Sequence, residues 1–283
     1  MRGAPIADFV AALGAGVVGG LLATLAALRA APPRLVRTNV NGHEVPVVLG
    51  FGLAVGAVAG VFALVAAASF SEAQAVDTLI GFSRAGIVIG IVSVMFVAGL
   101  YDDRRGDEEA RGFRGHLRAA RGGALTGGLV KIAAGGLAGV IATLAFGGLL
   151  HKVEAFLLVP LTANLFNLLD RAPGRAAKAG WLFLVPLIAF GSQQWGLAVA
   201  GLTGALLAVT PFDVRERGML GDAGANPLGA IVGLGLALSL PEPLLGLSVV
   251  LMLALNAVSE RVSFSTVIDS SSWLRALDRI GRR

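Results

Sequence analysis

The chain has no cysteine. Disulfides, thiolate metal centres and cysteine nucleophiles are therefore excluded, while the compartment stays open on that ground. Charge is also scarce, at 14% of residues, where soluble globular domains carry about 25%. Only three histidines occur, His43, His116 and His151, too scattered for a histidine metal cluster. There is no internal period of solenoid length, no low-complexity tract and no linker, so a single domain over residues 1–283 is expected.

What fills the sequence instead is apolar: 55% of residues, with a mean hydropathy of +0.79. Apolar runs close to the ~20 residues needed to cross a bilayer recur throughout. They lie near 9–30, 45–70, 79–100, 124–150, 153–169, 176–191, 195–210, 225–240 and 244–262. The fold class expected is an all-α integral membrane protein, a polytopic bundle of about nine transmembrane helices. The first run follows a single Arg2 without a convincing cleavage site, and is read as a span rather than a removed signal. The 40 glycines would weaken helices in water but suit close helix packing in lipid, as in the run from Gly14 to Gly20.

Charge placement gives a topology. With the N-terminus outside, all of the 23 basic residues except Arg2, Arg84, Lys131 and Lys152 fall in inner segments or the tail. The positive-inside rule then gives N-out, C-in, and accounts for the net charge of +5 without nucleic acid. In the tail, 263–283, Trp273, Leu274, Leu277 and Ile280 share one helical face while Arg275, Asp278, Arg279 and Arg282 take the other. That pattern predicts a basic amphipathic helix on the inner leaflet. The loop 111–121 is a weaker version of the same pattern.

Three polar clusters sit at the ends of apolar runs on one side: GLYDDRR at 99–105, NLFNLLD at 164–170 and GMLGDAG at 218–224. Polar groups at membrane depth are expensive unless they face a bundle interior or an aqueous cleft. Asn164, Asn167 and Asp170 recur at i, i+3 and i+6 and form one stripe on a helix. Helix–helix hydrogen bonding by the amides is the plain structural alternative. Asp102 and Asp103 end a helix where its dipole favours cations, so a bound cation would repair the placement; a solvated end with local ion pairs is the alternative. Asp222 lies among Gly218, Gly221 and Gly224, in a turn where backbone N–H groups could approach a phosphate while the carboxylate faces a cation. The alternative there is a plain turn with Asp222 as a helix N-cap. Lys131, about two turns into the fourth run, needs a carboxylate or phosphate partner. Hard oxygen donors without thiols or clustered histidines point to Mg²⁺ rather than zinc. His151 reads as a surface residue, and His116 in the arginine loop as a contact for an anionic ligand.

In this order the motifs resemble those of the polyprenyl-phosphate N-acetylhexosamine-1-phosphate transferases, a glycosyltransferase family 4-like group that includes the phospho-N-acetylmuramoyl-pentapeptide-transferase of peptidoglycan synthesis. RTNVNGHEVP at 37–46 followed by Gly50 is similar to that family's first cytoplasmic loop. GLYDD at 99–103 is similar to its aspartate pair, Lys131 to its membrane lysine, NLFNLLD to its Asn-x-x-Asn-x-x-Asp motif, and LGDAGA at 220–225 to its Gly-Asp-x-Gly loop. The resemblance implies a Mg²⁺-dependent enzyme of the plasma (inner) membrane, with a cytoplasmic active face, moving a sugar-1-phosphate from a UDP-sugar to polyprenyl phosphate and releasing UMP. Asp222 would hold the metal, and Asp102 or Asp103 would deprotonate or orient the lipid phosphate. Lys131 would neutralise phosphate charge; Asn164, Asn167 and Asp170 would position the donor, with Gly221, Gly224 and His116 contributing to substrate binding. The expected partners are polyprenyl phosphate, a UDP-sugar and the membrane, with no nucleic acid and a homodimer left open. The chain departs from the family in reading RAPG at 171–174 where a glycine and a second acid are usual, and in lacking a late histidine-rich loop. Arg171 and Arg175 are accordingly expected to clamp a diphosphate or lipid phosphate, with plain positive-inside topology as the alternative. The alternative reading is a non-catalytic scaffold or polyprenyl-phosphate-binding protein built on the same framework.

Overall fold

The computed structural model describes residues 3–69, 75–105 and 127–282. His116 and the basic loop 111–121 lie outside the described residues. Nine long helices occur among the described residues, one at each apolar run: α1 (Gly3–Arg29), α2 (Leu49–Ser69), α3 (Ala75–Arg105), α4 (Gly127–Thr143), α5 (Leu149–Leu169), α6 (Arg175–Phe190), α7 (Gln193–Val214), α8 (Asp222–Ser239) and α9 (Glu242–Ser259). Six of them, α1, α2, α3, α5, α7 and α9, contain stretches long and apolar enough to cross a membrane. The chain is an all-α membrane protein. The apolar α4 and the 16-residue α6 are shorter. From Ala223 to Gly235 every residue of α8 is buried, so it is the central helix of the bundle, apolar nearly all round, with Asn226 the one polar side chain of that stretch, because it packs on all sides.

Close backbone approaches hold α1, α2 and α7 together. A methyl group on Gly16 would sit 2.1 Å from the Gly201 carbonyl oxygen, and one on Gly204 would sit 2.1 Å from that of Leu13. Without apolar solvent exclusion to drive helices together in lipid, such approaches supply the packing contacts. Gly14, in the same run, faces open space. The contact that shapes the site is at Gly99 of α3, where a Cβ would lie 2.2 Å from the Asp222 carbonyl oxygen and 2.5 Å from the Ala223 nitrogen. Gly99→Ala is therefore expected to destabilise by about 1–3 kcal/mol through overpacking. Gly14→Ala is expected to change stability by less than about 0.5 kcal/mol. Thermal unfolding in detergent compares the two, and equal midpoints would remove the backbone contact from the packing argument.

Between α1 and α2 the chain forms a 3₁₀ turn (Pro33–Leu35) and a two-stranded antiparallel ribbon, β1 (Val36–Thr38) with β2 (Glu44–Pro46), in register Val36↔Pro46 and Thr38↔Glu44. The ribbon is stitched to the loop before α8. Met219 N–H donates to the Pro46 carbonyl at 2.9 Å, and Leu49 N–H to the Met219 carbonyl at 3.1 Å. The tail forms two short helices, α10 (Phe264–Ser270) and α11 (Ser272–Arg279). Trp273, Leu277 and Ile280 are exposed while Asp278 is buried, so α11 keeps the predicted division into an apolar and a polar face.

Candidate functional site

Asp102 and Asp103 are neighbours on α3, and successive helical residues point about 100° apart, so the two carboxylates serve different partners. Asp102 Oδ2 lies 2.6 Å from Lys131 Nζ, and the same ammonium pairs with Asp222. Lys131 thus bridges carboxylates from α3 and α8, and stands in the fifth position of α4, about one turn in. Asp103 instead accepts from two backbone groups, Asp222 N–H at 3.0 Å and Ala223 N–H at 2.9 Å. It caps α8 from another helix, placing its negative charge at the positive end of the α8 dipole. Both acids at the end of α3 are therefore satisfied by tertiary partners, not by solvent. Asp222 is not the N-cap: that position is Gly221, which offers no side chain, and Asp222 is the first helical residue.

Gly221 has φ 64° and ψ 179°, a region essentially reserved for glycine, and a Cβ there would meet Asp103 Oδ2 at 2.8 Å. The glycine both makes the turn and leaves room for the cap. The phosphate cradle expected of this loop is not formed, because its N–H groups are already used: those of Asp222 and Ala223 on Asp103, and those of Gly224 and Ala225 on the Gly221 carbonyl. Gly224 instead allows close packing, with its Cβ position 3.0 Å from the Gly50 Cα.

Of the stripe on α5, Asp170 turns toward this cluster. Its carboxyl is buried, close enough to Asp213, Asp222 and Asp103 for their charges to act on one another, and its Oδ1 has no hydrogen-bond partner. Asn164, about 120° round the helix from Asp170, is spent elsewhere: its Nδ2 donates to Asn256 Oδ1 of α9 at 2.7 Å. Asn256 passes the interaction on to the Met252 carbonyl at 2.8 Å. Asn167 is half-buried between the two directions and Arg171 is exposed. Arg175 is not placed to clamp a substrate phosphate, because it is buried and forks onto Asp278 of α11, Nε to Oδ1 and Nη2 to Oδ2, both at 2.9 Å. Arg282 adds a contact to Asp278 Oδ1 at 2.8 Å. Together these fasten the tail to the start of α6.

Sequence reasoning passed over Asp213. It is fully buried at the end of α7, near the Gly174 N–H and close enough to Arg282 and Lys178 for their charges to act on it. The signal was an acid closing an apolar run nine residues before Asp222, the arrangement already noted at Asp102 and Asp170. Arg37 was also missed as a connector: its guanidinium donates to the Asp103 carbonyl and ties the ribbon to the end of α3.

Beside the site, Glu216 receives hydrogen bonds from Asn39 Nδ2 at 2.6 Å and Asn41 Nδ2 at 2.7 Å, and pairs with His43 Nδ1 at 2.6 Å. Glu216 holds φ at 57°, an uncommon conformation for a side-chain-bearing residue. Burial pushes its carboxyl up, but the hydrogen bonds from His43, Asn39 and Asn41 outweigh that and hold it below its ordinary 4.5. A carboxyl that titrates lower in the folded state contributes its stability above the unfolded value, and that contribution is lost as pH falls through the folded one. Glu216→Gln is therefore expected to lower the unfolding midpoint at neutral pH, with the difference from the parent protein shrinking as pH falls below the ordinary value of 4.5. A difference that stays constant over that range would show that ionisation of Glu216 does not hold the ribbon.

No curated protein matches the chain. A family model, glycosyl transferase family 4, matches residues 85–240, which run from within α3 to the end of α8 and carry Asp102, Asp103, Lys131, Asp170, Asp213 and Asp222. With over half of its length so matched, the chain belongs to glycosyl transferase family 4.

Proposed function

We propose that this membrane sugar-phosphate transferase moves a sugar-1-phosphate from a UDP-sugar to polyprenyl phosphate at the cytoplasmic membrane face, with Mg²⁺, in lipid-linked cell-envelope precursor synthesis. The observation that carries the reading is Lys131 held between Asp102 and Asp222, one cation and two carboxylates gathered from three helices. An oxygen of the polyprenyl phosphate attacks the sugar-bearing phosphorus of the donor. A new P–O bond forms there, the bond to the UMP phosphate breaks, and UMP leaves with that bond's electron pair.

Among the described residues, no three His, Cys, Asp or Glu side chains converge closely enough to enclose a metal ion. Mg²⁺ needs no such cage, since one or two carboxylates with substrate phosphates and water complete its shell. Asp222, with Asp170 offering a buried oxygen that lacks a hydrogen-bond partner, fits that mode. Bound there, the ion supplies positive charge against the donor pyrophosphate. Lys131 neutralises phosphate charge, Asp102 orients the acceptor phosphate or takes its proton, and Asp103 keeps Asp222 in place by capping α8.

A second reading, a non-catalytic polyprenyl-phosphate-binding scaffold, is favoured by one observation: Asn164, expected at the donor, and Arg175, expected on a substrate phosphate, are used in structural contacts. One experiment separates the two. Purified protein is incubated with polyprenyl phosphate, Mg²⁺ and a panel of UDP-sugars while UMP release is followed. Turnover with any donor supports the transferase. Saturable lipid binding without turnover on any donor supports the scaffold.

A further inference from the structure

A cavity of about 160 Å³, lined by none of Asp102, Asp103, Lys131, Asp170 or Asp222, lies between the tip of the β1–β2 ribbon at Val40 and Asn41 and the tail helices. Four guanidinium groups line it, those of Arg175, Arg275, Arg279 and Arg282, against the carboxylates of Asp269 and Asp278. Asp278 is already neutralised, gripped by Arg175 and Arg282. That leaves Arg275 and Arg279 facing Asp269, which stands exposed at the rim. The Nε of Arg275 is buried and has no hydrogen-bond partner. A buried charged donor without an acceptor is costly, roughly 1–3 kcal/mol or more. A ligand oxygen in the cavity would satisfy it.

We propose that this cavity binds a phosphate group, presented by an anionic lipid headgroup or arriving as free phosphate. Guanidinium forks match phosphate oxygens in pairs, which ammonium groups cannot do. The volume is at least about five times the ~30 Å³ that a water occupies in the liquid, enough for a phosphate together with hydrating waters. The other face of α11 exposes Trp273, Leu277 and Ile280, which sets the cavity at the depth where an interfacial helix meets headgroups.

The test uses the full chain in a neutral detergent, titrated with short-chain phosphatidylglycerol, with phosphatidylcholine of the same chain length, and with inorganic phosphate, reading thermal stabilisation. The expected result is saturable stabilisation that Arg275→Gln with Arg279→Gln weakens at least about tenfold, since two charge-assisted hydrogen-bonding groups are lost. The paired control Arg215→Gln with Arg217→Gln removes the same charge outside the cavity and is expected to leave binding within about twofold. Asp269→Asn, which keeps every arginine, is expected to tighten binding, and keeps the question answerable if the double variant does not fold. Saturation by phosphatidylglycerol alone assigns the site to a lipid headgroup, and equal saturation by inorganic phosphate assigns it to free phosphate. Absence of saturable binding by either probe, or equal weakening in the Arg215/Arg217 control, overturns the proposal.

Discussion

Lys131→Met is expected to reduce transfer by at least about 10²–10³-fold, the range seen when one preorganised charge-stabilising donor is removed from an active site. The substitution keeps the length and apolar stem of the side chain and removes only the ammonium that pairs with Asp102 and Asp222. The two carboxylates would then lack their shared cation, and one of them would have to bind a proton or a divalent ion instead. A second signature follows. Divalent-ion affinity, measured by Mn²⁺ paramagnetic resonance without substrate, is expected to rise in Lys131→Met as turnover falls. Lys131 is about a quarter exposed, so the stability loss should be smaller than the ~3–5 kcal/mol of a fully buried pair broken on one side. Unchanged turnover would reduce Lys131 to a counter-ion that holds α3, α4 and α8 together.

Asp222→Asn is expected to abolish transfer while leaving the fold in place, with a loss of about 10³-fold or more, because an amide cannot replace the charge that holds a hard divalent cation. The structure sharpens this test. The N-terminus of α8 is capped by the carboxylate of Asp103 and not by the side chain of Asp222, so the change removes no cap and lowers the unfolding midpoint only by the weakened pair with Lys131. Asp103→Ala should do the opposite, orphaning two backbone N–H groups and costing stability of about 1–3 kcal/mol for each buried donor left unsatisfied. Activity and unfolding midpoint measured on both variants separate a ligand-holding carboxylate from a positioning one. Full turnover in Asp222→Asn across a Mg²⁺ titration would remove Asp222 from the mechanism, and most of the case for phosphoryl transfer with it.

How much could be read from the sequence differs by residue, for physical reasons. Each of the nine apolar runs corresponds to a helix because burial in lipid or in a bundle imposes a composition that local reading detects. Asp102, Lys131 and Asp222 were legible for the same reason, since charge at the end of an apolar run demands a partner. What stayed hidden is tertiary pairing. Nothing local says that Asp103 will cap a helix that begins 119 residues later, or that Arg175 will find Asp278 across 103 residues. Asn164 shows the boundary: its stripe announced a need for hydrogen bonds, and only the placement of α9 decided that Asn256 would meet it. Asp213 carried a readable signal, an acid closing an apolar run, that was masked by the arginines following it.

The close passage of α3 along the start of α8 also constrains how this chain can change length. Gly99 and Asp103 are four residues apart, so they lie on the same face of α3 one turn apart. The first admits the Asp222 backbone and the second caps it. Asp102, one position earlier, is thereby rotated toward Lys131. Inserting one residue between Gly99 and Asp102 would turn both acids by about 100° relative to the glycine, carrying Asp102 round to α8 and leaving α4 without a carboxylate, and deleting one would bring Asp103 to α4 and Arg104 to α8. The spacing acts as a phase setting, and through this stretch the helix can be lengthened only by steps close to a whole turn.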